Sequence, residues 1–181
     1  MTEETIGKIL YTEDEIRARA AELGKQITQD YKGEELIILG TLKGAVMWMC
    51  DLIKNINLDT KIDFISASSY GSGTTSTGIV KVSKDVDFDL YKKNVLIVED
   101  IIDTGFTLNY LKKYLQDRRP KSVKICTMMD KPSRRRVDLT AEYIGFVVDD
   151  LFIIGYGLDF DQKYRNLPYI SYLEPSVVPE E

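Results

Sequence analysis

Residues 95–107, VLIVEDIIDTGFT, place three carboxylates (Glu99, Asp100 and Asp103) and two hydroxyls (Thr104 and Thr107) directly after an apolar run. Each part has a chemical use. Backbone N–H groups at a helix start, with hydroxyls beside them, form an anion cradle. Gly105 lets the chain approach the anion closely. The acids suit hydroxyl groups or a divalent cation. A ligand with a phosphate at one end and a diol at the other, such as ribose 5-phosphate, engages both halves. A lone Asp-Thr-Gly would be read as a helix cap; the whole run would not. An acidic pair after VLIV also occurs in receiver domains, but near the chain start, and here it is central.

The chain contains no histidine, so Ser-His and Cys-His nucleophile pairs are excluded. A general base must come from Asp, Glu, Lys, Tyr or Cys. A bound metal would be held mostly by oxygen, which suits magnesium. Cys50 and Cys126 are isolated in apolar surroundings, so both are expected to be buried free thiols and neither a zinc ligand. The net charge of −5 argues against a nucleic-acid binder, and Arg134-Arg135-Arg136 is too short a cluster to reverse it. No apolar run approaches the roughly 20 residues of a membrane helix. The acidic start, MTEETIGKIL, has no signal-peptide core, and the cytoplasm is the expected compartment.

The elements that must position the run are legible from periodicity. Thr12 to Glu15 reads as a capping box. Ile16, Ala20, Leu23, Ile27 and Tyr31 follow at helical spacing, with Gly33 closing the helix. Residues 36–39 predict a buried strand, and residues 45–53 (AVMWMCDLI), apolar nearly all round, a buried helix. Strands are expected at 62–67, 79–82, 94–98, 123–129, 143–148 and 152–156, and a helix from about 107 to 117. Residues 70–78 (YGSGTTSTG) are expected to be a flexible segment. Alternating strands and helices over 181 residues predict one α/β domain with a mostly parallel central sheet flanked by helices. Ligands in such sheets sit beyond the carboxyl ends of the strands. The candidate site is therefore residues 41–44, 68–78, 99–105 and 130–131.

Residues 95–107 closely resemble the phosphoribosyl-diphosphate (PRPP) signature of type I phosphoribosyltransferases. Leu42-Lys43-Gly44, Ser69-Tyr70, Asp130-Lys131-Pro132 and residues 152–167 (FIIGYGLDFDQKYRNL) occur in the order seen in hypoxanthine-guanine phosphoribosyltransferases. The resemblance covers about residues 10 to 173. It implies a small hood beside the sheet, a flexible active-site loop, and transfer of a phosphoribosyl group to hypoxanthine or guanine, with xanthine a third candidate base.

The resemblance also implies roles. Asp103 is the expected base or proton relay at the purine imidazole edge. Glu99 and Asp100 hold the ribose hydroxyls directly or through Mg2+. Asp103, Thr104, Gly105, Phe106 and Thr107 wrap the 5-phosphate, although Phe106 stands where some relatives have lysine. Leu42-Lys43-Gly44 is the pyrophosphate loop, with a cis peptide expected before the lysine, and Arg165 contacts pyrophosphate. Ser69-Tyr70 heads a loop that closes over the reacting centre. Lys131 donates to the purine 6-oxo group. Phe152 stacks on the base with Ile101 opposite, Ile153 contacts it through its backbone, and Asp159 completes the base site and gives a second magnesium contact. The expected partners are the small-molecule substrates, PRPP and a 6-oxopurine, in a homodimer or homotetramer without nucleic acid or membrane. The competing class is a PRPP-sensing regulator. Such proteins add a DNA-binding domain or basic surface, and this sequence shows neither before Tyr11 nor in its net charge.

Overall fold

A computed structural model of the chain describes residues 6–69 and 80–174. Among the described residues, three α-helices and eight strands follow the order α1 (Glu13–Asp30), β1 (Leu36–Thr41), α2 (Val46–Ile53), β2 (Thr60–Ser69), β3 (Val80–Lys84), β4 (Asn94–Ile102), α3 (Phe106–Gln116), β5 (Ser122–Asp130), β6 (Tyr143–Val147), β7 (Ile153–Ile154) and β8 (Ser171–Tyr172). Six strands form the main sheet in the order β3-β2-β1-β4-β5-β6. β2, β1, β4, β5 and β6 are parallel, and β3 pairs antiparallel with β2. The α/β architecture expected from the sequence is therefore present.

The sheet is covered on both faces, which is why its strands read as continuous apolar runs. Alternate residues of one strand point to opposite faces. Leu36 and Ile38 of β1 and Leu96 and Val98 of β4 enter the core with α1 and α2. Ile37 and Leu39, with Val95 and Ile97, enter the other with α3. α1 carries the expected capping box between Thr12 and Glu15, and buries Ile16, Ala20, Leu23 and Ile27 along one stripe. It ends at Asp30, with Tyr31 as its C-cap; Gly33 takes its left-handed φ of 81° in the turn beyond. α3 presents Leu108, Leu111 and Leu115 at helical spacing. Each fully buried aliphatic side chain contributes about 1.5–3 kcal/mol. Arg19 of α1 donates to the carbonyls of Gly145 and Ile144, tying the helix to the edge strand β6.

Several expectations are corrected. α2 is buried on one side only. Trp48, Met49 and Leu52 face the sheet, while Met47 is 37% exposed and Cys50 is exposed; only Cys126 is a buried thiol. An all-apolar segment has no polar stripe to mark its outer face, so composition overstated its burial. β4 does not stop at Val98. Its pairing with β5 continues through Ile101↔Met129 and Ile102↔Asp130, so Glu99 and Asp100 lie inside a strand, not after it. Only Ile153–Ile154 of the expected strand at 152–156 is extended. It pairs with β8 in a separate two-stranded sheet, the hood, which periodicity did not separate from the main sheet. The N-terminal segment joins this hood through bridges Ile6↔Leu173 and Tyr11↔Ile170. Tyr70 and the loop expected at 70–78 lie outside the described residues, as does Ile79. Among the described residues no helix is long and apolar enough to cross a membrane.

After β1 the chain proceeds to β2 and β3 on one side, then crosses to β4 on the other. β1 and β4 are neighbours, so a crevice opens beyond their carboxyl ends where the connections diverge. This is the switch point at which open α/β sheets bind ligands.

Candidate active site

The loop after β1 and the end of β4 meet at that crevice. The Leu42–Lys43 peptide is cis, as the resemblance implied. Beyond it, Gly44 packs against Asp100: a Cβ on Gly44 would lie 1.4 Å from Asp100 Oδ2. Thr41 Oγ1 lies 2.6 Å from Glu99 Oε1 and 3.1 Å from the Val98 carbonyl. Backbone N–H groups of Asp100 and Ile101 donate to the Glu99 and Asp100 carboxylates at 3.1 and 2.7 Å. Burial pushes the Glu99 carboxyl well above its ordinary range, and the neighbouring Asp100 charge pushes the same way. Burial likewise raises Asp100, against the pull of its hydrogen bonds and of the Arg165 charge. Two crowded carboxylates of this kind need a positive partner.

The strand end leads through Asp103 and Thr104 to Gly105, whose φ of 85° turns the chain into α3. No side chain caps that helix. The first N–H groups of a helix have no partner within it, and residues 103–107 line a cavity of about 330 Å³ together with residues 41–44, Glu99, Asp100, Asp159 and Arg165. Phe106 stands half exposed at its edge. Arg135 braces the loop from behind. Its Nε donates to the Asp103 carbonyl at 3.2 Å, its Nη1 to the Leu139 carbonyl at 2.7 Å, and its Nη2 pairs with Asp130.

Across the crevice, Arg165 pairs with Asp159 at 2.8 Å and donates to the Gly157 carbonyl at 2.7 Å. Gln162 Oε1 accepts from Lys43 Nζ at 3.2 Å and from Arg165 Nη2 at 3.3 Å, so one neutral oxygen gathers two cations. These contacts bring Lys43 and Arg165 to the same cavity from segments more than a hundred residues apart.

A second cavity, of about 520 Å³, adjoins the first. Ile101, Lys131, Phe152 and Ile153 line it with Asp103 and Asp159. Lys131 is buried, and its ammonium donates to the Leu151 carbonyl at 2.5 Å. Phe152 is 38% exposed and meets Phe160 edge-on at 5.4 Å. A cavity lined by Ile101, Phe152 and Ile153 on the one hand and by charged groups, among them a buried ammonium, on the other suits a flat heterocycle bearing a carbonyl.

Of the residues to which the resemblance gave a role, all but Ser69 and Tyr70 line one or both cavities; Ser68 and Asp130, placed in the candidate site by their strand ends, line neither, and Asp130 pairs with Arg135 instead. The Ser69 backbone pairs with Val80 on the β2–β3 ribbon; Tyr70 lies outside the described residues. Glu99, Asp100 and Asp159 do not form a ready-made cage, since among the described residues no three metal-ligating side chains cluster. Arg134, Arg135, Asp150 and Gln162 were not singled out for the site. The first two stood in the sequence as a short basic run, and only their place three and four residues after Lys131 signalled otherwise.

The match to a family model, "Phosphoribosyl transferase domain", spans residues 8–161. The chain belongs to the phosphoribosyltransferase family. Its similarity to individual members is also high. It is 46% identical to the hypoxanthine-guanine phosphoribosyltransferase of Bacillus subtilis, with 98% of each chain covered. It is 46% identical to the bifunctional protein TilS/HprT of Listeria monocytogenes over 97% of its own length, but spans only 27% of that larger protein. A crystal structure of a hypoxanthine phosphoribosyltransferase from Staphylococcus aureus superposes with a TM-score of 0.93 at 46% identity, covering 97% of this chain and 96% of that one.

Proposed function

We propose that this chain transfers the 5-phosphoribosyl group of PRPP to hypoxanthine or guanine, with xanthine a third candidate base, and releases pyrophosphate. One observation carries the reading. The anion cavity and the base cavity share a wall made of Asp100, Ile101, Asp103 and Asp159. A ribose held at that wall would have its phosphate in one cavity and its base in the other.

On this reading residues 104–107 hold the 5-phosphate through backbone N–H groups and hydroxyls. Leu42, Lys43, Gly44 and Arg165 hold pyrophosphate, and Glu99 and Asp100 hold the ribose hydroxyls. Lys131 gives up the Leu151 carbonyl to meet the purine 6-oxo group, and Ile101 and Phe152 enclose the ring. Ile153 touches the base through its backbone. The purine nitrogen attacks C1 of the ribose as the bond to pyrophosphate breaks, and the imidazole proton passes to Asp103. Lys43 and Arg165 meet the charge that gathers on pyrophosphate, so the residues act mainly by positioning and electrostatics.

Mg2+ fits Glu99 and Asp100. Magnesium is commonly held by one or two carboxylates, substrate phosphates and water, which matches two crowded acids beside an anion cavity. Asp159 would be a further contact if it released Arg165. Bound there, the ion would neutralise diphosphate charge. The wider reading keeps a cytoplasmic homodimer or homotetramer of one catalytic domain, which light scattering on the purified chain addresses.

The test is a panel of bases assayed for pyrophosphate release with PRPP and Mg2+. Turnover of hypoxanthine and guanine, with adenine inert, is expected. Preference for adenine or a pyrimidine would overturn the assignment. Full turnover in excess EDTA would remove the magnesium part alone.

A further inference from the structure

Arg134 closes the single 3₁₀ turn, Pro132–Arg134, that follows β5. Its Nε lies 3.1 Å from Asp103 Oδ1, and its Nη1 lies 3.6 Å from Asp150 Oδ2. The other oxygen of Asp150 lies 3.9 Å from Lys131 Nζ. Asp103, Arg134, Asp150 and Lys131 thus form a chain of alternating charge along the wall of the base cavity, which all four line.

The order matches the chemistry of a 6-oxopurine. The imidazole nitrogen and the 6-oxo oxygen lie on one edge of the base, so a proton acceptor and a carbonyl donor must stand at a fixed separation. A carboxylate rotates readily about its last bond, and the Asp103 side chain is 41% exposed. Left alone, it would swing toward water.

We infer that Arg134 is a positioning residue for the transfer reaction. It holds the Asp103 carboxylate at the imidazole edge and, through Asp150, sets its distance from Lys131. The inference rests on the roles of Asp103 and Lys131 proposed above. A guanidinium suits the task, because its planar fork directs separate donors to two carboxylates and it never loses its charge. The neighbouring arginines divide the work: Arg135 grips the Asp103 carbonyl, and Arg134 grips the side chain. The Arg134 backbone is fixed independently by its N–H bond to the Lys131 carbonyl at 3.2 Å, so replacing the side chain leaves the turn in place.

The experiment compares Arg134→Gln, Arg134→Lys, Asp103→Asn and the double variant Asp103→Asn with Arg134→Gln. The readouts are single-turnover nucleotide formation, KM for each substrate, and Tm. The ion pair is partly exposed, so Arg134→Gln should slow the single-turnover rate by roughly three- to tenfold. KM for PRPP should not change, and Arg134→Lys should recover most of the loss. In the Asp103→Asn background, Arg134→Gln should add nothing. A wild-type rate in Arg134→Gln overturns the inference. So does an equal further loss in the double variant, or a change confined to KM for the base, which would make Arg134 a direct ligand. A wild-type rate in Asp103→Asn would instead remove the proposed proton acceptor, and with it what Arg134 is inferred to hold. Should Arg134→Gln fail to fold, Arg134→Lys carries the same comparison: a partial loss beside Asp103 and none beside Asn.

Discussion

Asp100 of β4 occupies the space where a side chain on Gly44 would begin. The distance from Asp100 Oδ2 to a Cβ on Gly44 would be 1.4 Å, far inside any contact real atoms make. The loop after β1 and the acid pair of β4 are therefore one fitted unit, and each residue sets the room left for the other.

Gly44→Ala should accordingly displace Asp100 or the loop. A misplacement of about 1 Å at a reacting centre can cost roughly a hundredfold in rate, so kcat/KM for PRPP should fall by about that order. The core is untouched, and Tm should stay within a few degrees. A variant with wild-type kinetics would show that the loop and Asp100 adjust without consequence.

Lys131 is expected to choose the base. Its ammonium only donates. Facing a 6-oxo group it gains a charge-assisted hydrogen bond, whereas facing the 6-amino group of adenine it meets another donor. Lys131→Met should lower kcat/KM for hypoxanthine by roughly ten- to a hundredfold. PRPP affinity should be spared, because Lys131 follows β5 and the proposed 5-phosphate segment follows β4. Retention of both hypoxanthine activity and discrimination against adenine would sink the assignment.

Asp63 links acid stability to the β2–β3 ribbon. Burial pushes its pKa up, but the Asp87 N–H, the Lys84 ammonium and the Phe64 N–H outweigh burial and leave it lowered. A depressed carboxylate stabilises the fold above its unfolded pKa, and that contribution is lost as pH falls through the folded value. Asp63→Asn should thus cost about 1–2 kcal/mol at neutral pH. The gap from wild type should close below about pH 4 as the unfolded carboxylate protonates. Denaturant melts at pH 7 and at pH 3 check this; an equal gap at both would refute it.

The two thiols should behave differently. Burial pushes the Cys126 thiol up to about 12, whereas Cys50 is on the exposed side of α2. The thiolate is the reactive form. A thiol reagent should therefore titrate one cysteine per native chain and both in guanidinium. Rapid native reaction of both would contradict the packing of Cys126 beneath α2, and no native reaction would place the face of α2 that bears Cys50 under another copy of the chain.

Local pattern by itself determined most of the helices and parallel strands. The 3.6-residue spacing of Ile16, Ala20, Leu23 and Ile27 is an intrinsic property of the segment, so α1 could be read with its cap. The unbroken apolar runs of β1 and β4 told of a sheet covered on both faces. The acids, hydroxyls and glycine of residues 99–107 carried the expectation of an anion and diol site without any partner strand. Strand order was not in those patterns, because periodicity within a strand says nothing about which strand lies beside it. Only the tertiary structure put β1 against β4, and so Gly44 against Asp100. It also brought Gln162 between Lys43 and Arg165, and let the β7–β8 hood present Leu151 and Phe152 to the second cavity. The same holds for Arg134. In sequence it is one member of a basic run, and it reaches Asp103 because β4 and β5 pair in parallel and both end at one crevice.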